Sequence, residues 1–231
     1  MTMYCTKWFL FVSVLLLLIS ASVKGQENLT GYWQPHIAIN YPVSGSYSHN
    51  FSIANRNYIF DNEEFTLKGR QLDVVHFSNL KVRDNQSIAL GVQYRFRSNF
   101  ENRENELRLT QQYNITNQPF AIRYGHRFRT EQRITNSLTT HRFRYRFALD
   151  FPLVGEKLDV GEPYFVGSLE NLLSVAKYNA PQYDARLSGQ VGWQLNGGIK
   201  FQVGVEYRME DYSAGVPQHI LFLLTSAQIS L

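Results

Sequence analysis

His141-Arg142-Phe143-Arg144-Tyr145-Arg146-Phe147-Ala148-Leu149-Asp150-Phe151 alternates without a slip. Phe143, Tyr145, Phe147, Leu149 and Phe151 fall on one face of an extended chain, and Arg142, Arg144, Arg146 and Asp150 on the other, because successive side chains of a strand point to opposite sides. The segment therefore has an aromatic face and a cationic face. Both need partners: the aromatic face an apolar surface, the arginines carboxylates or anions.

The same pattern extends in both directions. Upstream, Ile88, Leu90, Val92, Tyr94 and Phe96 oppose Ala89, Gly91, Gln93, Arg95 and Arg97; Leu107, Leu109, Tyr113 and Ile115 oppose Arg108, Thr110, Gln112 and Asn114; Phe120, Ile122, Tyr124 and Phe128 oppose Arg123, Arg127 and Arg129. Downstream, Phe165, Leu169 and Leu173 oppose Ser168 and Glu170, Leu187, Val191 and Trp193 oppose Asp184, Arg186 and Gln190, and Phe201, Val203, Val205 and Tyr207 oppose Lys200, Gln202 and Glu206. Tyr47–Tyr58, Gln71–Val82 and His219–Leu231 complete ten strands. Tyr32–Tyr41 is a possible eleventh, weakened by Pro35, since proline donates nothing to a ladder. No segment has useful helical periodicity, so the chain reads as one all-β domain.

At the N-terminus, Lys7, the apolar run Trp8–Ile19 and a small or polar stretch ending Val23-Lys24-Gly25 have the order of a cleaved export signal over residues 1–25, with a retained anchor as the alternative. Removing it takes away Cys5, the one cysteine, and with it disulfides, thiolate metal sites and cysteine nucleophiles. It also reduces the 23 basic residues by Lys7 and Lys24 to 21, against 19 acidic ones. The near-balance excludes nothing by itself, but its distribution is uneven: 11 of the 16 arginines lie between Arg95 and Arg146, where the only acids are Glu101, Glu104, Glu106 and Glu131.

The connections assign sides. Arg83–Gln86, Thr116–Pro119 and Leu195–Gly198 are short, whereas Arg97–Glu106, Thr130–Thr140, Ala176–Gln182 and Glu210–Gln218 are longer and polar, with Pro152–Pro163 breaking the rule. Ten apolar faces exceed what a soluble lipocalin-like cup needs. Apolar residues outward to lipid and arginine, glutamine and glutamate inward describe a transmembrane barrel, which combines short periplasmic turns with longer external loops. An even-number rule for bacterial barrels favours an antiparallel barrel of 10 strands over residues 47–231, alternatively 12, with residues 26–46 as a plug or partial strand. A soluble envelope sandwich or barrel is the competing fold.

In this order, Trp33, the GVQYRF strand, RYGHRFRTEQR, HRFRYRFALDFPL, the Glu170-Asn171 strand and GWQLNGG resemble the outer-membrane barrel family of unknown function numbered 2490. The resemblance spans essentially the whole mature chain and implies an outer-membrane barrel of Bacteroidetes or Proteobacteria, with no activity to carry over. The final Leu231 departs from the aromatic residue that commonly ends such barrels.

With the polar set inward, Arg95, Arg97, Arg108, Arg123, Arg127, Arg129, Arg142, Arg144, Arg146 and Arg186 share a narrow lumen with Glu170, Glu206, Asp150 and Asp184. Arginine stays charged and forks onto carboxylates, so the leading expectation is a salt-bridged network that fills a non-enzymatic outer-membrane barrel. The first alternative is a narrow anion-selective channel or anionic-ligand binder. The second is an outer-membrane lipid-modifying hydrolase or acyltransferase built on His126, His141 and Ser137, the Ser/His grouping near loop ends that stands out in the chain. The expected partners are outer-membrane lipid and lipopolysaccharide, the barrel-assembly machinery of a Gram-negative cell, and a small anionic solute. Cofactors, metals and nucleic acid are not expected, since no phosphate loop, paired metal-spaced histidines or calcium loop occurs.

Overall fold

The structure, a computed structural model, describes residues 29–231; the expected export signal lies outside the described residues. Eleven strands make a closed barrel: β1 Leu29–Pro42, β2 Tyr47–Asp61, β3 Glu64–Arg83, β4 Gln86–Phe96, β5 Glu106–Asn117, β6 Arg123–Ile134, β7 Thr139–Pro152, β8 Pro163–Ala176, β9 Gln182–Gln194, β10 Ile199–Glu210 and β11 Gln218–Ser230. Each strand pairs antiparallel with its neighbour in sequence, and β1 closes the ring by pairing parallel to β11 from Leu29↔His219 to Asn40↔Ser230.

This corrects both expected strand numbers, 10 and 12. The even-number argument assumed a fully antiparallel ring. An antiparallel meander of odd length brings its last strand back parallel to its first, and a parallel ladder, only slightly weaker per residue, closes it. Leu29–Pro42 is accordingly a full barrel strand and not a plug or partial strand. Pro35 is accommodated because pairing with β2 is interrupted at Gln34 and Pro35, between Trp33↔Asn57 and His36↔Ala54.

The parallel seam puts Leu29 at one mouth, the N-mouth, and Leu231 at the other, the C-mouth. The N-mouth carries the connections 62–63, 97–105, 135–138, 177–181 and 211–217; the C-mouth carries 43–46, 84–85, 118–122, 153–162 and 195–198. The contrast in loop length is weaker than expected. The long loop expected over Thr130–Thr140 is mostly strand, because β6 continues to Ile134 and β7 begins at Thr139. Asn62 and Glu63 both have positive φ, 49° and 66°, as the two central residues of a tight hairpin matched to strand twist require. The β2–β3 hairpin stands above the rim, since β4 ends at Phe96 opposite Leu72 and leaves Glu64–Gln71 without a partner on that side.

The alternation sorts as expected. Leu90, Val92, Phe128, Phe143, Leu169, Leu187 and Val205 are exposed on the outer face. Arg95, Glu106, Arg108, Glu131, Glu170, Asp184 and Arg208 are buried inside. On the outer face, the break in apolar pattern at Gln111 is matched across the ladder: Gln111 accepts from Thr130 at 2.6 Å, and its amide donates to Gln132 at 3.2 Å.

Candidate functional site: the lumen

The N-mouth half of the lumen is filled by two arrays that together complete the ring. The first is ionic and runs from β3 to β10. Arg95 forks onto Asp73, with both hydrogen bonds at 2.6 Å, and Gln71 donates to the same carboxylate at 3.1 Å. Glu106 takes a second fork from Arg133, at 3.0 and 2.8 Å, and further contacts from Arg108 and, at 3.4 Å, Arg97. Arg144 is the centre of the array: it donates to Glu131 at 2.6 Å and to Glu170 at 2.8 Å. Glu131 also faces Arg129 at 3.5 Å, and Glu170 faces Arg186 at 3.5 Å. Asp184 receives Arg142 at 3.8 Å and the Asp211 backbone N–H at 3.1 Å, while Glu206 accepts from Arg208 at 2.5 Å. Buried carboxylates bridged by more than one guanidinium satisfy the rule that interior charges are paired.

The second array is aromatic and belongs to β11, β1 and β2. Tyr32, Tyr58, Ile220 and Phe222 form a buried cluster, with Phe222 fully shielded. Three arginines cap it: Arg208 lies 3.8 Å and Arg56 4.8 Å from the Phe222 ring centroid, and Arg70 4.8 Å from that of Tyr32, the geometry of cation–π attraction. Above it the loop 97–105 folds inward. The Tyr58 hydroxyl donates to Glu101 at 2.6 Å, and Glu101 also faces Arg103 at 3.1 Å. Glu104 ties this loop to the 135–138 turn by accepting from the Ser137 hydroxyl at 2.7 Å and its N–H at 3.2 Å, bonds that hold its carboxyl below the usual value.

The C-mouth half is open. A cavity of about 1100 Å³ enters there, lined by polar side chains including Asn50, Gln93, Gln190, Gln202 and Ser226. Its inner part is bounded by Arg127, Arg129, Arg146, Glu206 and Arg208. Arg123 at the rim is paired with Asp150 at 2.9 Å.

The fourteen lumen residues singled out from the sequence share one lumen but not one role. Arg95, Arg97, Arg108, Arg142, Arg144, Arg186, Glu170 and Asp184 belong to the filled half, and Arg129 and Glu206 stand at its boundary with the cavity. Arg123, Arg127, Arg146 and Asp150 line the cavity. Asp73, Glu106, Glu131 and Arg133 were missed as partners, as was the aromatic array. Glu106, Glu131 and Arg133 stand where strands run into what reads as loop, and Asp73 lies in a weakly alternating strand. Only acids at positions in phase with the neighbouring arginines signal them.

The Ser/His grouping is not assembled. His126 lies opposite Phe147 and His141 opposite Gln132, six positions apart along the same ladder, or roughly 20 Å at the rise of a strand. Ser137 bonds Glu104, and His126 shares a 2.9 Å hydrogen bond with the Tyr145 hydroxyl on the outer face. Among the described residues, no group of three His, Cys, Asp or Glu could hold a metal ion.

Fold and lumen together define a class: a closed β-barrel with an apolar outer wall, a charged interior and one parallel seam. Residues 30–219, from β1 into the start of β11, match the model of a family described as a protein of unknown function, DUF2490, and the chain belongs to that family. No curated protein matches it.

Proposed function

We propose that this chain is a non-enzymatic, membrane-embedded barrel of a Gram-negative outer membrane whose lumen is stopped at the N-mouth, so that it does not conduct. Its surroundings would be outer-membrane lipid and lipopolysaccharide, reached with the help of the barrel-assembly machinery. The outer wall supports the membrane part. Leu90, Leu187, Val205 and Ile53 are each more than half exposed, and a closed ring of strands with such a wall meets the demand that a bilayer makes on backbone polar groups. The observation that carries the stopped lumen is the burial of its N-mouth contents: Gln71, Glu106, Glu131 and Phe222 are each 3% exposed or less, on strands all around the ring.

Reconstitution into planar bilayers tests this reading. The expected result is a flat baseline at voltages up to about 100 mV. Steady unit conductance would refute the stopped lumen, and anion preference of that current would favour the channel alternative. Heat-modifiable gel migration tests the barrel: a folded species that does not run faster than the boiled one would argue against it.

A second reading, of an anionic-solute binder, is favoured by the cavity at the C-mouth.

A further inference from the structure

We infer that the C-mouth cavity is a dead-end binding site for a compact multivalent oxyanion, of phosphate or polycarboxylate type, held by Arg127 and Arg146; this rests on the reading of a barrel stopped at its N-mouth. The cavity is lined by seven basic side chains and, as acids, only by Asp150 and Glu206. Both acids are already engaged, Asp150 by Arg123 and Glu206 by Arg208. Arg129 faces Glu131 and donates to Gln112, and Lys81 faces Asp84 at the rim. Among the described residues, Arg127, Arg146 and Lys200 have no carboxylate within 4 Å.

The register makes this more than a count. Arg127 and Arg146 sit directly opposite each other on β6 and β7, both on the lumen face, and like charges so placed destabilise a sheet unless an anion lies between them. Arg146 has Glu170 opposite on its other side, but that carboxylate is held by Arg144 and Arg186. The Nε of Arg146 is buried with no acceptor, as is that of Arg186 in the filled half, and the cavity-lining guanidinium of Arg146 has no carboxylate to fork onto. Arg127 donates through Nε to Asn114 at 3.1 Å, which leaves its terminal nitrogens for a ligand. The guanidinium fork suits planar or tetrahedral oxyanions. Lys200, whose ammonium lies 5.7 Å from the Tyr164 ring centroid, stands eight residues nearer the mouth along β10 than Arg208, which shares the level of Arg146, and lends the entrance positive charge without reaching the arginine pair. A volume of about 1100 Å³ admits a metabolite-sized solute, and a closed floor excludes a threaded polymer.

Isothermal titration at low ionic strength, with the full barrel in detergent, supplies the test. The probes are pyrophosphate and tricarballylate, and chloride at matched ionic strength is the control. At least one probe should bind in preference to chloride. Arg127→Gln/Arg146→Gln should weaken it by about ten- to a hundredfold, as loss of charged hydrogen bonds implies. Arg146→Lys should recover part of the loss, and Lys177→Gln, exposed at the opposite mouth, should change nothing. Heat-modifiable migration of each variant separates weakened binding from misfolding. Absence of binding by both probes, equal binding by the double variant, or an equal loss in Lys177→Gln would each overturn the assignment. Bilayer current would overturn the stopped lumen and leave the binding result standing, so the two failures are distinguishable.

Discussion

Arg144→Met is the most informative single perturbation of the filled half. Methionine keeps an unbranched apolar stem and removes the one guanidinium that joins Glu131 at 2.6 Å to Glu170 at 2.8 Å. The two carboxylates are 3% and 7% exposed, so water does not replace it. Each keeps a longer contact at 3.5 Å, to Arg129 and Arg186 respectively. Removing one partner of a buried ion pair costs about 3–5 kcal/mol; the surviving contacts place the expected loss near the lower end, or about two powers of ten in the folding equilibrium. Equilibrium urea unfolding in lipid vesicles, followed by Trp33 and Trp193 fluorescence, measures it. The same reasoning fixes a double-mutant cycle. Glu131→Gln should destabilise the wild-type barrel, but in the Arg144→Met background it removes an orphaned charge and should cost about 1–3 kcal/mol less. A loss for Arg144→Met within about 0.5 kcal/mol of zero, or a Glu131→Gln effect that is the same in both backgrounds, would refute a network of interdependent pairs.

Two further predictions address closure and packing. Oxidation of a chain carrying Ile37→Cys and Ala227→Cys, opposite one another across the parallel seam, should cross-link the folded protein efficiently, whereas Ile53→Cys with Ala227→Cys should not; the reverse outcome would mean that β2 closes a ten-stranded ring. Gly91→Val should lower the unfolding midpoint by about 1–3 kcal/mol equivalent, because a Cβ there falls 2.3 Å from the Phe77 ring. Adding Phe77→Ala should recover much of that loss, and failure to do so would show that the ring is not what the glycine accommodates.

The two faces of each strand were legible in the sequence because period-two alternation is a local property: Phe143, Tyr145 and Arg144 need only be read off in turn. The way the ring closes was not. Whether Leu29–Pro42 joins β11 is decided by the last pairing to form, between residues about two hundred positions apart, and nothing in the local pattern of either strand encodes parallel against antiparallel. The even-number rule stood in for that missing information and gave the wrong count. Inside the lumen, the arginines were legible as a set but not their partners. Arg144 and Arg146 have the same neighbours in sequence and the same phase, yet one is held by two carboxylates and the other by none. Glu170 stands directly opposite Arg146 in the register, yet its carboxylate is taken by Arg144, its diagonal neighbour, and by Arg186 across the next ladder, a choice that no local pattern encodes.

The parallel seam separates the two ends of the described chain by the full height of the barrel, Leu29 at one mouth and Leu231 at the other. In an even-stranded ring both ends share a mouth, and a short linker suffices to join them and reopen the chain elsewhere. Here such a linker would have to run through the occupied lumen or down the apolar outer wall. The molecule is therefore a poor substrate for circular permutation, and any segment attached before Leu29 is presented on the opposite side of the barrel from one attached after Leu231.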